Sequence, residues 1–182
     1  TVINLTNHAY FNLLGAESGE DCLGHVLSVN ALEYLPTNEI GVPLGEFRSV
    51  IDTGFDFLSP KVIGQDFLLD EDQKTASGYD HSFILNSDCL AGECAATVTS
   101  PDSLLTMKVF TTKPAVQLYT GNFVAGNPNR SGGEYAKYAG LALETQYLPD
   151  SPNHPEWPQP SPILNPNDEY FHSTVYQFLV NQ

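Results

Sequence analysis

Three short clusters hold residue types that can move protons or grip hydroxyl groups. The first is Thr6 to Asn12, TNHAYFN. Here His8 follows a strand-like stretch and has amide and phenol neighbours, Asn7, Tyr10 and Asn12, close by. Strand ends are where sites tend to gather, although a lone histidine serves structure as well as it serves chemistry. The second is Gly78 to His81, GYDH, just before the apolar run Phe83 to Leu85. A carboxylate at Asp80 could accept hydrogen bonds from paired hydroxyls. The residues alone favour the plainer reading of an Asp-containing turn that opens a strand. The third is Leu141 to Pro149, LALETQYLP, where Glu144 interrupts an apolar strand. Ala142, Glu144 and Gln146 share one face of that strand, and Leu141, Leu143, Thr145 and Tyr147 the other. A carboxylate on a half-buried strand costs free energy unless it is paired or used. Desolvation raises its proton affinity toward the range useful for proton transfer at neutral pH. Glu144 is therefore the best single candidate for a functional acid or base, the other reading being a solvent-facing Glu on an edge strand.

The elements that carry these clusters read as mostly β. Segments rich in Val, Ile, Leu, Tyr, Phe and Thr alternate with Gly, Pro, Asn and Asp punctuation. Strands are expected at Val2 to Leu5, His25 to Asn30, Phe47 to Ile51, Ser82 to Leu85, Ala95 to Ser100, Leu104 to Thr111, Ala115 to Tyr119, Leu141 to Tyr147 and Tyr170 to Val180. The last carries aromatics on both faces, which predicts burial on both. Pro60 to Asp70 is the one segment expected to be helical, with proline near the first turn. Pro149 to Pro166 holds seven prolines in eighteen residues together with His154 and Trp157. It reads as an ordered, rigid surface loop, since each proline fixes φ. No internal repeat and no domain boundary is visible.

The whole chain has 182 residues, 41% hydrophobic and 11% aromatic, enough for a real core. Its 22 acidic residues against 7 basic ones give a formal charge of −15. So acidic a chain lacks the basic face that nucleic acid or an anionic membrane requires. No apolar run approaches the roughly 18 residues of a membrane span, and no secretory pattern opens the chain. Cys22, Cys89 and Cys94 are an odd set without metal spacing. They read as free thiols in a reducing, cytoplasmic compartment. The sequons at Asn4 and Asn129 carry no weight without secretion. Asp66 to Asp72 lacks the glycine and terminal glutamate of a calcium loop and reads as a solvated acidic face. Phosphate-cradling loops, nucleophile elbows and HExxH helices are absent, so no metal and no cofactor is expected.

TNHAYFNL at Thr6, GYDH at Gly78, AVQLYTGN at Ala115 and LALETQYLPDSPNHPEWPQP at Leu141, in that order, resemble the aldose 1-epimerases, or galactose mutarotases. The resemblance implies an all-β fold, a large antiparallel β-sandwich of the galactose mutarotase-like supersandwich type, here incomplete. It implies interconversion of sugar anomers, with His8 as general acid and Glu144 as general base. Asp80 would grip sugar hydroxyls, and Gln117 and Tyr10 would line the site. The family's earlier Asn-Arg pair and His-Gly-Gly segment have no counterpart, and the two arginines, Arg48 and Arg130, stand in other contexts. Residues 1–182 are thus expected to be the C-terminal portion of one sandwich domain. The expected partners are a small aldose sugar and the missing N-terminal half or a second copy, and the isolated portion is expected to be weakly active or inactive. A non-catalytic sugar-binding module would use Asp80, Gln117 and Tyr10 equally well, but needs no acid–base pair. A glycosidase would need a second carboxylate where this pattern has a histidine. An epimerase of phosphorylated hexoses would need a basic cluster.

Overall fold

The computed structural model describes residues 1–181. Two antiparallel sheets carry the chain. The first contains β1 (Tyr10–Phe11), β3 (Ala31–Leu35), β4 (Arg48–Ser49), β6 (Asp80–Leu85), β9 (Ala115–Tyr119) and β10 (Leu141–Gln146), in the spatial order β1-β10-β9-β6-β3-β4. The second contains β2 (Val26–Val29), β5 (Lys61–Val62), β7 (Ala96–Thr99), β8 (Leu105–Thr111) and β11 (Thr174–Val180), in the order β11-β8-β7-β2-β5. Two short helices, α1 (Glu71–Thr75) and α2 (Ser87–Leu90), decorate the connections. Among the described residues, no helix is long and apolar enough to cross a membrane.

The core follows from the two-residue period of the strands. His81, Phe83 and Leu85 of β6, Val116 and Leu118 of β9, and Leu141, Leu143 and Thr145 of β10 point inward and are buried. They meet Leu27, Val29, Val98, Met107 and Val109 from the second sheet. An aromatic group of Tyr34, Phe55, Phe57, Tyr79 and Phe83 fills one region, with Tyr34 stacked on Phe55 at 3.9 Å. The alternate residues of the first sheet face outward, and this outer face carries the candidate site.

A smaller apolar cluster covers one end of that outer face. Leu35, Ile84, Ala115 and Leu148 are buried there beneath Phe47 and Trp157. The proline-rich segment is therefore ordered, as expected, and contains a 3-10 turn at Ser151–Asn153. Trp157 lies 5.1 Å from the Phe47 ring and stacks on His154 at 4.2 Å. Trp157→Ala is expected to cost about 2 kcal/mol, from lost apolar burial and the lost aromatic pair. The urea midpoint reports it.

Several expectations need correction. Pro60 to Asp70 is not a helix. Lys61–Val62 pairs with Val26 and Leu27 as a short strand, and Leu68 takes a left-handed φ of 58°. Gly64 breaks the pattern, because its Cα packs so closely on Leu23 that a Cβ would lie 3.2 Å from the Leu23 carbonyl oxygen. The helix forms only beyond it, at α1. Val2 to Leu5 is no strand; Val2 makes a single bridge to Ile163. Phe47 to Ile51 shortens to two residues, and the last strand begins at Thr174 instead of Tyr170. That strand is not buried on both faces. It is the edge of its sheet, with Val175 and Phe178 half exposed and Val180 80% exposed. The strand at Ala31–Leu35 was missed because a bulge between Ala31 and Glu33 breaks the alternation. Nor is the acidic run a solvated face throughout. Asp66 pairs with Lys61, Asp70 accepts the Gly54 N–H, and Asp72 binds Arg48 and the Tyr34 hydroxyl.

Candidate active site

Strand register assembles the site from residues far apart in the chain. Tyr10, Ala142, Tyr119 and Asp80 align across β1, β10, β9 and β6. The next row on the same face is Glu144, Gln117, Ser82 and Leu35, across β10, β9, β6 and β3. Neighbouring members of a row are held at the inter-strand spacing of about 4.8 Å. Glu144 lies on an interior strand, between β1 and β9, so the edge-strand reading does not hold.

His8 reaches the same place from the segment before β1. An Asx turn, in which the Ala9 N–H donates to Asn7 Oδ1 at 2.9 Å, shapes the approach. His8 Nε2 stands 3.3 Å from Glu144 Oε1. The imidazole side chain is 48% exposed and the carboxylate 11%. The rings of Tyr10 and Tyr119 flank the imidazole at 5.0 and 6.1 Å. One group of the pair thus opens to solvent, while the other sits on the sheet floor.

The electrostatics follow from that burial. Desolvation raises the pKa of Glu144, with Asp80 adding to the rise and His8 opposing it. Asp80 is also raised by desolvation, against the Gln117 hydrogen bond and the His8 charge. Gln117 Nε2 donates to Asp80 Oδ1 at 2.8 Å. Desolvation also keeps the Tyr10 and Tyr119 phenols protonated, helped by the neighbouring carboxylates. The site can therefore hold one proton donor and one acceptor within reach of a single small molecule, beside a carboxylate and an amide suited to hydroxyls.

The turn before β6 fixes Asp80. Asn122 Nδ2 donates to the carbonyls of Ala76 and Tyr79 at 2.8 and 3.1 Å, and the Tyr79 N–H donates to Thr120 Oγ1 at 3.1 Å. Gly78, at φ 144°, is required: a Cβ would lie 2.3 Å from Asn122 Oδ1. The next residue, His81, points the other way. It is buried edge-on to Tyr34 and Phe55, and burial pushes its pKa down to about 4. Its Nδ1 accepts the Asp80 N–H at 3.1 Å.

The five residues singled out in the sequence thus gather at one face: Tyr10, Asp80, Gln117 and Glu144 in two adjacent rows, and His8 reaching them from the segment before β1. Tyr119 and Ser82 belong to the same face and were missed. The signal was present, since each lies two residues from a named site residue on the same strand.

The aldose 1-epimerase family model matches residues 1–177. The chain belongs to the aldose 1-epimerase family. It is 50% identical to the aldose 1-epimerase of Escherichia coli K12 over 177 residues, which cover 97% of this chain and 51% of that protein. It is 39% identical to human galactose mutarotase over 184 residues, covering 99% and 51%. Among solved structures it resembles galactose 1-epimerase from Lactobacillus acidophilus NCFM, with a TM-score of 0.77, 32% identity, and coverage of 100% of this chain and 50% of that one. A GalM/aldose epimerase homologue from C. elegans matches with a TM-score of 0.78, 28% identity, and coverage of 100% and 52%. The chain spans about half the length of the curated relatives it matches.

Proposed function

We propose that the protein interconverts the α and β anomers of aldohexoses such as galactose and glucose by acid–base catalysed ring opening and closure. The observation that carries this reading is the 3.3 Å pairing of His8 with Glu144 on a face that also presents Asp80 and Gln117. An ionised Glu144 and a protonated His8 attract one another, and these are the protonation states that the reaction starts from.

Glu144 removes the proton from the anomeric hydroxyl. The C1–O5 bond breaks, its electron pair goes to O5, and O5 takes the proton of His8. The open aldehyde turns about the C1–C2 bond. O5 then returns its proton to the imidazole and attacks the other face of C1, and the carbonyl oxygen takes back the proton from Glu144. Each positioned transfer supplies about 10²–10⁴-fold. Asp80, Gln117 and Tyr10 hold the ring in place.

From the chain order of its motifs we read residues 1–182 as the later portion of one sandwich domain, with further sugar-orienting groups supplied by another segment; coverage of about half of each relative supports a partial domain. Three unpaired cysteines, Cys22, Cys89 and Cys94, suit a reducing cytoplasm. The deciding experiment adds the protein to freshly dissolved α-D-galactose and follows optical rotation. Accelerated approach to the anomeric equilibrium is expected of the full-length protein, and weak or no acceleration of residues 1–182 alone. Sugar binding without acceleration would instead indicate a binding module.

A further inference from the structure

Next to the acid–base pair, on the side of β6 and β3, lies a cavity of about 300 Å³. Its floor is Asp80, Ser82 and Gln117, and its walls include the Thr37–Gly41 turn, Phe123 and Pro149. That turn is built to hold its shape, with Asn38 Oδ1 accepting the N–H groups of Ile40 and Val42 at 3.1 and 3.0 Å. Two polar atoms on the floor, Ser82 Oγ and Gln117 Oε1, are buried and lack a hydrogen-bond partner within the protein. Such atoms cost free energy when nothing satisfies them.

Their orientation is not accidental. An ionised Asp80 only accepts hydrogen bonds, so the Gln117 amide must turn its NH₂ toward Asp80. This leaves the Gln117 carbonyl oxygen without a protein partner, on a residue that lines the cavity. Ser82 and Gln117 are directly opposed across β6 and β9. The floor therefore offers an acceptor beside a hydroxyl that can donate or accept. A sugar hydroxyl, itself both donor and acceptor, can give its proton to Gln117 and receive one from Ser82. Ser82 is also two strands from Glu144 in the same row, about 9.6 Å away at the usual strand spacing. A hexopyranose with C1 over Glu144 is long enough for its far hydroxyls to reach along this row.

We propose that Ser82, paired with the Gln117 carbonyl, is a specificity-determining residue that reads one hydroxyl of the aldose ring remote from the anomeric carbon. The inference rests on the sugar-anomer reading above and extends it to a residue outside the proton-transfer pair.

The test compares the wild type, Ser82→Ala and Ser82→Thr on galactose, glucose and their 2-, 3-, 4- and 6-deoxy forms, with kcat and KM taken from polarimetry. For the parent sugar, Ser82→Ala is expected to raise KM about three- to tenfold while kcat moves less than about twofold. One deoxy sugar should be equally poor for wild type and Ser82→Ala, because the hydroxyl that Ser82 reads is already gone. Ser82→Thr keeps the hydroxyl and is expected to restore discrimination. Should KM be unchanged in Ser82→Ala for every sugar, or should all deoxy sugars lose equally, the Ser82 assignment is overturned while the anomer reading stands. A full-length wild type that equilibrates no aldose overturns both. If Ser82→Ala does not fold, the near-isosteric Ser82→Cys, whose thiol hydrogen-bonds only weakly, decides on the same deoxy series: loss of discrimination at one hydroxyl supports the assignment, and wild-type discrimination refutes it.

Discussion

Glu144→Gln is expected to slow anomer interconversion by about 10²–10⁴-fold, the contribution of one positioned proton transfer. Glutamine keeps the shape and the hydrogen-bonding capacity of the side chain but cannot take a proton from the anomeric hydroxyl. Sugar affinity should be nearly unchanged, because Asp80, Gln117 and Tyr10 remain in place. Stability should not fall either. Desolvation raises the pKa of Glu144, so its ionised form at neutral pH opposes folding. The amide removes that penalty and loses only a pairing with a half-exposed imidazole. The same raised pKa places the acidic limb of the wild-type pH–rate profile above the ordinary carboxylate range, since the base must be ionised to act. Polarimetry of wild type and variant, each checked by thermal melting, measures all of this. A variant that equilibrates galactose at the wild-type rate would remove Glu144 from the base role.

His81 should make the protein sensitive to mild acid without taking part in the chemistry. Its folded pKa is depressed from an ordinary 6.5 to about 4 by burial. Between those values the unfolded chain binds a proton that the native protein refuses. His81 therefore contributes stability fully above pH 6.5, and that contribution is lost as pH falls toward about 4. At about 1.4 kcal/mol for each tenfold change in proton affinity, the loss is about 3 kcal/mol. His25, also buried with a lowered pKa, acts with the same sign. Glu144 and Asp80 act oppositely, because a carboxylate with a raised pKa favours the folded state at low pH. His81→Asn keeps an acceptor for the Asp80 N–H and removes the titration. Its melting temperature should decline less than that of the wild type between pH 6.5 and 4. Parallel curves for the two proteins would refute this account.

How much of this was legible beforehand depended on the reach of each signal. Strand alternation is local, so the faces of Leu141–Gln146 could be read directly, and Glu144 stood out because it broke an apolar run. The chain order of motifs supplied His8, Asp80, Gln117 and Tyr10. What could not be read was register. Nothing in AVQLYTGN says that Gln117 stands opposite both Glu144 and Ser82, because that pairing is set by contacts between distant strands. The Pro60 to Asp70 segment failed for a similar reason. Its apolar residues fit a helix locally, yet Ile63 is recruited into the core and Val62 into a sheet. Tyr170 to Val180 showed the limit of composition, since aromatics on both faces did not reveal that, among the described residues, the strand has one neighbour.

The division of each central strand between a core face and a site face has a consequence for folding fidelity. Glu144 and Leu143 are adjacent, so a slip of β10 by one residue would turn the carboxylate into the apolar layer and expose the leucine. The same holds for Ser82 against Phe83 and for Gln117 against Leu118. A mispaired strand loses core burial and the geometry of the proposed site at once. Quality control exerted on stability alone therefore also sorts for correctly aligned site residues, and well-folded molecules with a misregistered site should be rare.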